Sequence, residues 1–376
     1  MHCLIRDLWV IKLGIKQLQF FFIYLFLVST LSAEKIPAAA FLLPDGTLDP
    51  CAIENKQLTL DLSGWKVVLD PNCGPIFSPA FPPMEIWSAL DMGLTNSVVA
   101  LAVNGSDIYV GGGFTTVGSG GTVVSGLNRI AKWNGTVWSS LDSGLNLTVL
   151  SLAVSGTELY VGGQFTDVGF GGTPVPCLNH IAKWNGTSWS ALDKGLDGRV
   201  DALVVSGTDV YAGGGFNGVG TGGTVVAGLN VIAKWNGIAW SSLDKGLNNS
   251  VLTIAFDGID VYVGGDFTAV GAGGIAVVGL NRIAKWDGTA WSPLDKGLGF
   301  IVRALAVSGT DLYAGGEFSA VGSGGTVVAG LNKIAKWNGT AWSALDKGLN
   351  SVVRALAVSG TDLYVGGDFT GVGSGG

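Results

Sequence analysis

The sequence predicts an all-β protein: a β-propeller of about six four-stranded blades, the last blade incomplete or closed by an N-terminal strand. Three observations carry this reading. Trp87, Trp138, Trp189, Trp240, Trp291 and Trp342 recur every 51 residues, and Tyr109, Tyr160, Tyr211, Tyr262, Tyr313 and Tyr364 keep the same step. Each unit holds four short segments of alternating or aromatic character, joined by turn residues. Glycine fills 61 of 376 positions beside 48% hydrophobic and only 13% charged residues, a balance that fits short strands and many turns and excludes a disordered chain.

In the first unit the strand candidates are VVALAV (Val98 to Val103), DIYVGGGF (Asp107 to Phe114), LNRIAKW (Leu127 to Trp133) and TVWSSL (Thr136 to Leu141). Gly105 and its equivalents turn the first strand into the second. Asn134-Gly135 is read as a two-residue hairpin between the third and fourth, because a type I′ turn needs positive φ at both central residues. A lone unit cannot bury both of its faces, so the units must stack. Stacked coils of a solenoid are the structural rival, but such coils are usually shorter than these units.

The hydrophobic run ending in Gly-Gly, as in IYVGG (Ile108 to Gly112), followed by Trp133 and Trp138, resembles the kelch repeat over residues 86–376. It departs from it at Trp133, where kelch units usually carry Tyr. The unit is also similar to repeats of large secreted bacterial proteins and of fungal cortical-marker polarity proteins. The resemblance implies an extracellular propeller and no particular reaction.

Ahead of the repeats, residues 1–33 read as a secretory signal: Arg6, Lys12 and Lys16 precede the apolar Leu18 to Val28, with cleavage near Ala33. Residues 34–85 form an irregular N-terminal segment in which Cys51 and Cys73 are candidates for a disulfide outside the cell. Cys177 is left over and is expected to be buried inside a blade. The segment Ile86 to Leu90 matches a fourth strand, and the sixth unit stops before its third, as a repeat cut short would.

Without residues 1–33, 18 Lys+Arg face 27 Asp+Glu, a net charge of −9. Such an acidic, secreted chain is a poor partner for nucleic acid. No stretch of the mature chain is long and apolar enough to span a membrane.

The chemical motifs are weak. Gly371-x-Gly373-x-x-Gly376 and Gly218-x-Gly220-x-x-Gly223 have the letters of a dinucleotide loop, but a strand follows where a phosphate loop needs a helix N-terminus. The mature chain has one histidine, His180, and no grouped metal ligands, so neither cofactor nor metal is expected. Asp107, Glu158 and Asp209 recur at one blade position, as structural acids do. Glycosylation sequons stand at Asn104, Asn134, Asn146, Asn185, Asn248 and Asn338.

Function is therefore sought where the copies differ. Residues 95–97 read TNS, and their equivalents NLT, DGR, NNS, GFI and NSV. Two residues on stand Val99, Leu150, Asp201, Leu252, Arg303 and Arg354. Arg199, Asp201, Phe300, Arg303 and Arg354 are the candidate ligand-binding residues on this connector face. Behind Gly-Gly stand Gly113, Gln164, Gly215, Asp266, Glu317 and Asp368. Sixteen residues later come Arg129, His180, Val231, Arg282 and Lys333, so Asp266 with Arg282 and Glu317 with Lys333 are expected as cross-strand pairs. The expected function is non-catalytic binding of a protein or glycan, at the cell surface or after secretion. A hydrolase or lyase with a polar site at the channel mouth is one rival, and a structural array within a larger surface protein is another.

Overall fold

The computed structural model describes residues 90–373 except 122, 170, 221–225, 272–276 and 323–327, together with four upstream strand segments. The chain divides into two units, Met1–Ser88 and Ala89–Gly376. In the first, Ile36–Pro37 pairs parallel with Leu60–Asp61, and Trp65–Asp70 pairs antiparallel with Gly74–Pro79. Residues 1–33, expected to be a signal, and Cys51, Cys73 and residues 86–89 lie outside the described residues.

The second unit is a row of antiparallel sheets, each built from one 51-residue repeat. Among the described residues, five have four strands in simple sequence order and a sixth has two. These are blades, about six of them. The first blade comprises Val98–Asn104, Asp107–Gly112, Ile130–Trp133 and Trp138–Ser139. The sixth comprises Val353–Ser359 and Asp362–Gly367. No α-helix occurs among the described residues.

Two local readings need correction. The third strand begins at Ile130, not Leu127, because Arg129 adopts a left-handed φ of 65°. There Asn128 Nδ2 donates to Ser143 O at 2.8 Å and ties the loop down. The Asn134 turn is not a two-residue type I′ turn. Trp133 pairs with Trp138, leaving four loop residues, and only Gly135 has positive φ, at 97°. Asn134 acts through its side chain: Oδ1 accepts from the backbone N–H groups of Thr136 at 3.0 Å and Val137 at 2.9 Å.

Most of the core joins neighbouring blades, with one buried cluster inside the first. Ile130 of the first blade belongs to one buried cluster with Val149, Leu159, Phe165 and Trp189 of the second. The later clusters likewise join neighbouring repeats. Phe114, Phe165, Phe216, Phe267 and Phe318, each behind a Gly-Gly pair, are fully buried. At the outer edge each fourth-strand Trp donates its Nε1–H to a carbonyl 48 residues earlier. Trp189 reaches Leu141 O, Trp240 reaches Leu192 O and Trp291 reaches Leu243 O, each at 3.1 Å. The two tryptophans of one blade pack at a tilt, with ring centroids 5.0–5.3 Å apart.

The Gly-Gly pair explains how closely the blades approach. A Cβ on Gly162 would stand 2.5 Å from Val200 Cγ1 of the next blade. Its neighbour Gly163 would drive a Cβ into the Thr148 carbonyl of its own blade. Only hydrogen fits at both places.

Candidate functional site

Turns from the first to the second strand and from the third to the fourth share one end of each blade. The opposite end carries the longer connectors, and the copy-to-copy differences collect there. Antiparallel bridges such as Leu145 with Val168 and Leu196 with Val219 hold those connectors together in every blade.

The variable position two residues past the connector triplet proves to be a β-bulge. The register of the first strand slips between Val200 and Ala202, between Val302 and Ala304, and between Val353 and Ala355, opposite Gly-Gly each time. Asp201, Arg303 and Arg354 are the extra residues. A bulge frees its side chain from the ladder and re-aims it, which is why this position varies from Val and Leu to Asp and Arg while the Val before it is the same in every copy.

Each candidate charge is engaged inside its own blade. Arg199 Nε donates to Asp201 Oδ2 at 3.0 Å. Arg303 Nε donates to Glu317 Oε1 at 2.6 Å. Arg354 grips Asp368 with two bonds, of 2.7 and 2.6 Å. The pairs at Arg303 and Arg354 sit on neighbouring blades, close enough that Arg303 also helps hold the Asp368 carboxyl below its usual range, after the larger effect of Arg354. Burial pushes the Asp201 carboxyl up, against the pull of Arg199. Phe300 is half exposed on the same face. The arrangement is thus a row of ion pairs rather than three charges converging on one point.

Of the two expected cross-strand pairs, Arg282 meets the Asp266 carboxylate. The second differs. Lys333 Nζ donates to the Glu317 backbone carbonyl at 2.8 Å, while the carboxylate goes to Arg303. The reason is the bulge, which brings the guanidinium to the Glu317 side chain first. The same capping of the carbonyl is seen in two other blades, where Arg129 reaches Gly113 O and Arg282 reaches Asp266 O, but not in the third, where Val231 stands at that place.

The recurring acids support the frame. Lys132 pairs with Asp107 at 3.1 Å, Lys183 with Glu158 at 2.9 Å and Lys234 with Asp209 at 2.6 Å, strand to strand. Cys177 is half-buried in the connector with φ of 68°, not sealed in a blade. His180 follows at φ 63°, its Nδ1 buried without a partner. Burial lowers its pKa, against the Gly163 backbone contact and the field of Asp197. Among the described residues no group of three or more His, Cys, Asp or Glu is placed to hold a metal ion. The glycine run near the end does packing work. A Cβ on Gly373 would strike the Lys347 carbonyl, as one on Gly220 would strike that of Lys194.

Sequence reasoning missed three features of this face: the bulge, the Asn clamp and the backbone cap. Asn128, Asn179, Asn230 and Asn281 each send Nδ2 to a connector carbonyl at 2.8 Å. Their fixed place in LN-x-IAKW was the available signal.

These features define a class, a bladed all-β repeat protein whose individuality lies on one connector face. No protein-family model matches the chain. In sequence it is similar to the Polarized growth protein L1 of a Phoma species, with 37% identity over 102 residues, covering 24% of this chain and 8% of that protein. The chain therefore spans a small part of that relative's length. In structure it is similar to the computationally designed Ika8 protein, with a TM-score of 0.45 and 15% identity over 73% of this chain and 71% of that one. It is also similar to the WD40 β-propeller domain of Doa1, with a TM-score of 0.42 and 13% identity over 73% of this chain and 90% of that one.

Proposed function

We propose that this is a secreted or cell-surface, non-catalytic kelch-like propeller that binds a protein or glycan through its connector face. The observation that carries the reading is the placement of variation. The residues that differ between copies, Arg199, Asp201, Phe300, Arg303 and Arg354, share the connector end of the blades. The opposite turns repeat almost unchanged. A frame of Gly-Gly contacts, Trp bonds and Asn clamps keeps that face rigid, which lowers the ordering cost of binding. An exposed aromatic ring beside oriented charged groups suits a polar, extended ligand.

Binding is favoured over hydrolysis because Glu317 and Asp368 are each held by a guanidinium. A carboxylate so held is a poor general base or acid. The apolar N-terminal run supports placement at the cell surface or outside the cell.

The test is a glycan array and a cross-linking pull-down with the secreted chain, repeated with Arg199→Ala, Phe300→Ala and Arg354→Ala combined. We expect the combined variant to lose at least tenfold in binding while Thr136→Ala, on the opposite end, loses none. Binding that survives the combined variant, or no ligand in either screen, would overturn the reading.

A further inference from the structure

We infer that the chain carries N-linked glycans at Asn134, Asn185 and Asn338, and that its other sequons, Asn104, Asn146 and Asn248, stay bare. The inference rests on the secreted reading above. Six sequons stand in the sequence. What separates them is the atom of each asparagine that the fold uses, because the sugar is attached at Nδ2.

At Asn134, Asn185 and Asn338 the fold uses the oxygen. Each opens an exposed Asn-Gly-Thr turn between a third and a fourth strand. The Thr hydroxyl donates to Asn Oδ1 at 2.9 Å in all three. Two backbone N–H groups of the same turn donate to that oxygen as well. Nδ2 has no hydrogen-bond partner there among the described residues. The fourth blade shows that the nitrogen is dispensable. Asp287 stands at the same place, and its Oδ1 accepts from the Thr289 N–H at 2.8 Å, the Thr289 hydroxyl at 2.7 Å and the Ala290 N–H at 2.8 Å. An oxygen in place of Nδ2 leaves the turn intact, so a substituent on Nδ2 removes no bond from the fold.

At the other three the nitrogen is engaged by a residue distant in the chain. Asn104 Nδ2 donates to Gly156 O of the next blade at 2.9 Å. Asn146 Nδ2 donates to Thr166 Oγ1 at 3.2 Å and Asn248 Nδ2 to Thr268 Oγ1 at 3.1 Å, while each Oδ1 accepts from the backbone N–H of the same Thr. Asn350 makes these bonds to Thr370 without being a sequon, since Val352 stands where Ser or Thr is needed. This asparagine therefore serves the connector. A sugar on Nδ2 competes with such bonds, whereas the Asn-Gly-Thr turn closes on its own neighbours and forms with or without one. Chains modified at Asn104, Asn146 or Asn248 fold less well and are depleted from the folded product.

The donor is a lipid-pyrophosphate-linked oligosaccharide. The bond from its sugar C1 to a pyrophosphate oxygen breaks, C1 bonds to Nδ2, and Nδ2 gives up one proton. The lipid pyrophosphate leaves with the electron pair. The glycans then stand at the turn end of the first, second and fifth blades, away from the connector face. The third and fourth blades carry none at this turn, because Ile238 and Asp287 each break the sequon.

The test produces the full chain in a eukaryotic secretory host, behind its own N-terminal run and, in a second sample, behind an added signal of known function. Glycans on the folded product are released by a peptide N-glycosidase in heavy-oxygen water, which marks each occupied Asn for mass spectrometry. We expect occupancy at Asn134, Asn185 and Asn338 at least fivefold above that at Asn104, Asn146 and Asn248. Ile238→Thr, at a position 85% exposed where three other blades carry Thr, should add a fourth glycan at Asn236, whose Oδ1 already makes the same turn. Equal occupancy at all six sequons, bare turns in the second sample, or no gain at Asn236 would overturn the inference. Failure of the first sample alone to enter the secretory route would overturn the secreted reading, and the second sample would still decide this one.

Discussion

Val251 of the fourth blade lies so close over Gly213 of the third that no side chain fits between them. The next blade's valine methyl takes the space of a missing Cβ, which is how sheets from successive repeats reach contact across their inner strands. Gly213→Ala therefore overpacks the interface and should cost about 1–3 kcal/mol. Denaturant unfolding should show the loss, and an unchanged midpoint would reject the packing argument.

The Trp bonds join the same blades at their outer edge. Trp240→Phe removes the donor to Leu192 O, but that carbonyl keeps its bond from the Gly195 N–H. The expected loss is that of one buried hydrogen bond, about 0.5–1.5 kcal/mol, with a further part for the smaller ring. Trp138→Phe, whose acceptor Leu90 O lies in a more exposed segment, should lose less. Equal losses at the two sites would argue against burial as the cause.

His180 supplies a pH dependence. Its pKa is lowered by burial in the folded chain, so the unfolded chain takes up a proton at a pH where the folded one resists it. Stability from this group is complete above the ordinary value of 6.5 and falls as the pH drops through it toward the folded pKa. Asn tolerates the left-handed backbone that His180 occupies. Melting curves between pH 7.5 and 5.5, values chosen to bracket that ordinary pKa, should therefore fall less steeply for His180→Asn than for the wild type. Parallel curves would show that His180 does not titrate in this way.

Glu317 has two basic neighbours, and geometry assigns its carboxylate to Arg303 and its carbonyl to Lys333. Double-mutant cycles with Glu317→Gln should give a coupling to Arg303→Met of up to about 1 kcal/mol, the scale of partly exposed pairs. The coupling to Lys333→Met should be near zero. A larger Lys333 coupling would restore the cross-strand pair expected from spacing alone.

The repeat was legible in the sequence because its causes are local. Alternation of Val and Leu with Ala, the Trp positions and the glycine turns each express a preference of a few neighbouring residues, and six copies repeat the signal. The acids Asp107 and Asp209 were readable as structural for the same reason, since each faces a Lys on the adjacent strand. The candidate face was legible only as a place where copies differ.

What the residues alone determined is the blade: its four strands, the places where they turn, though not the type of the Asn134 turn, and the end at which variation gathers. Only the tertiary structure decided what each variable charge does. Whether Arg303 meets Glu317 depends on a bulge set by the opposing Gly-Gly, and a bulge is a property of two strands in register rather than of either one. The role of the first glycine of each pair was likewise hidden, because the group that forbids a Cβ there is a valine from another repeat. Contacts between residues distant in the chain carry no local signature, so spacing could propose them but not choose among them.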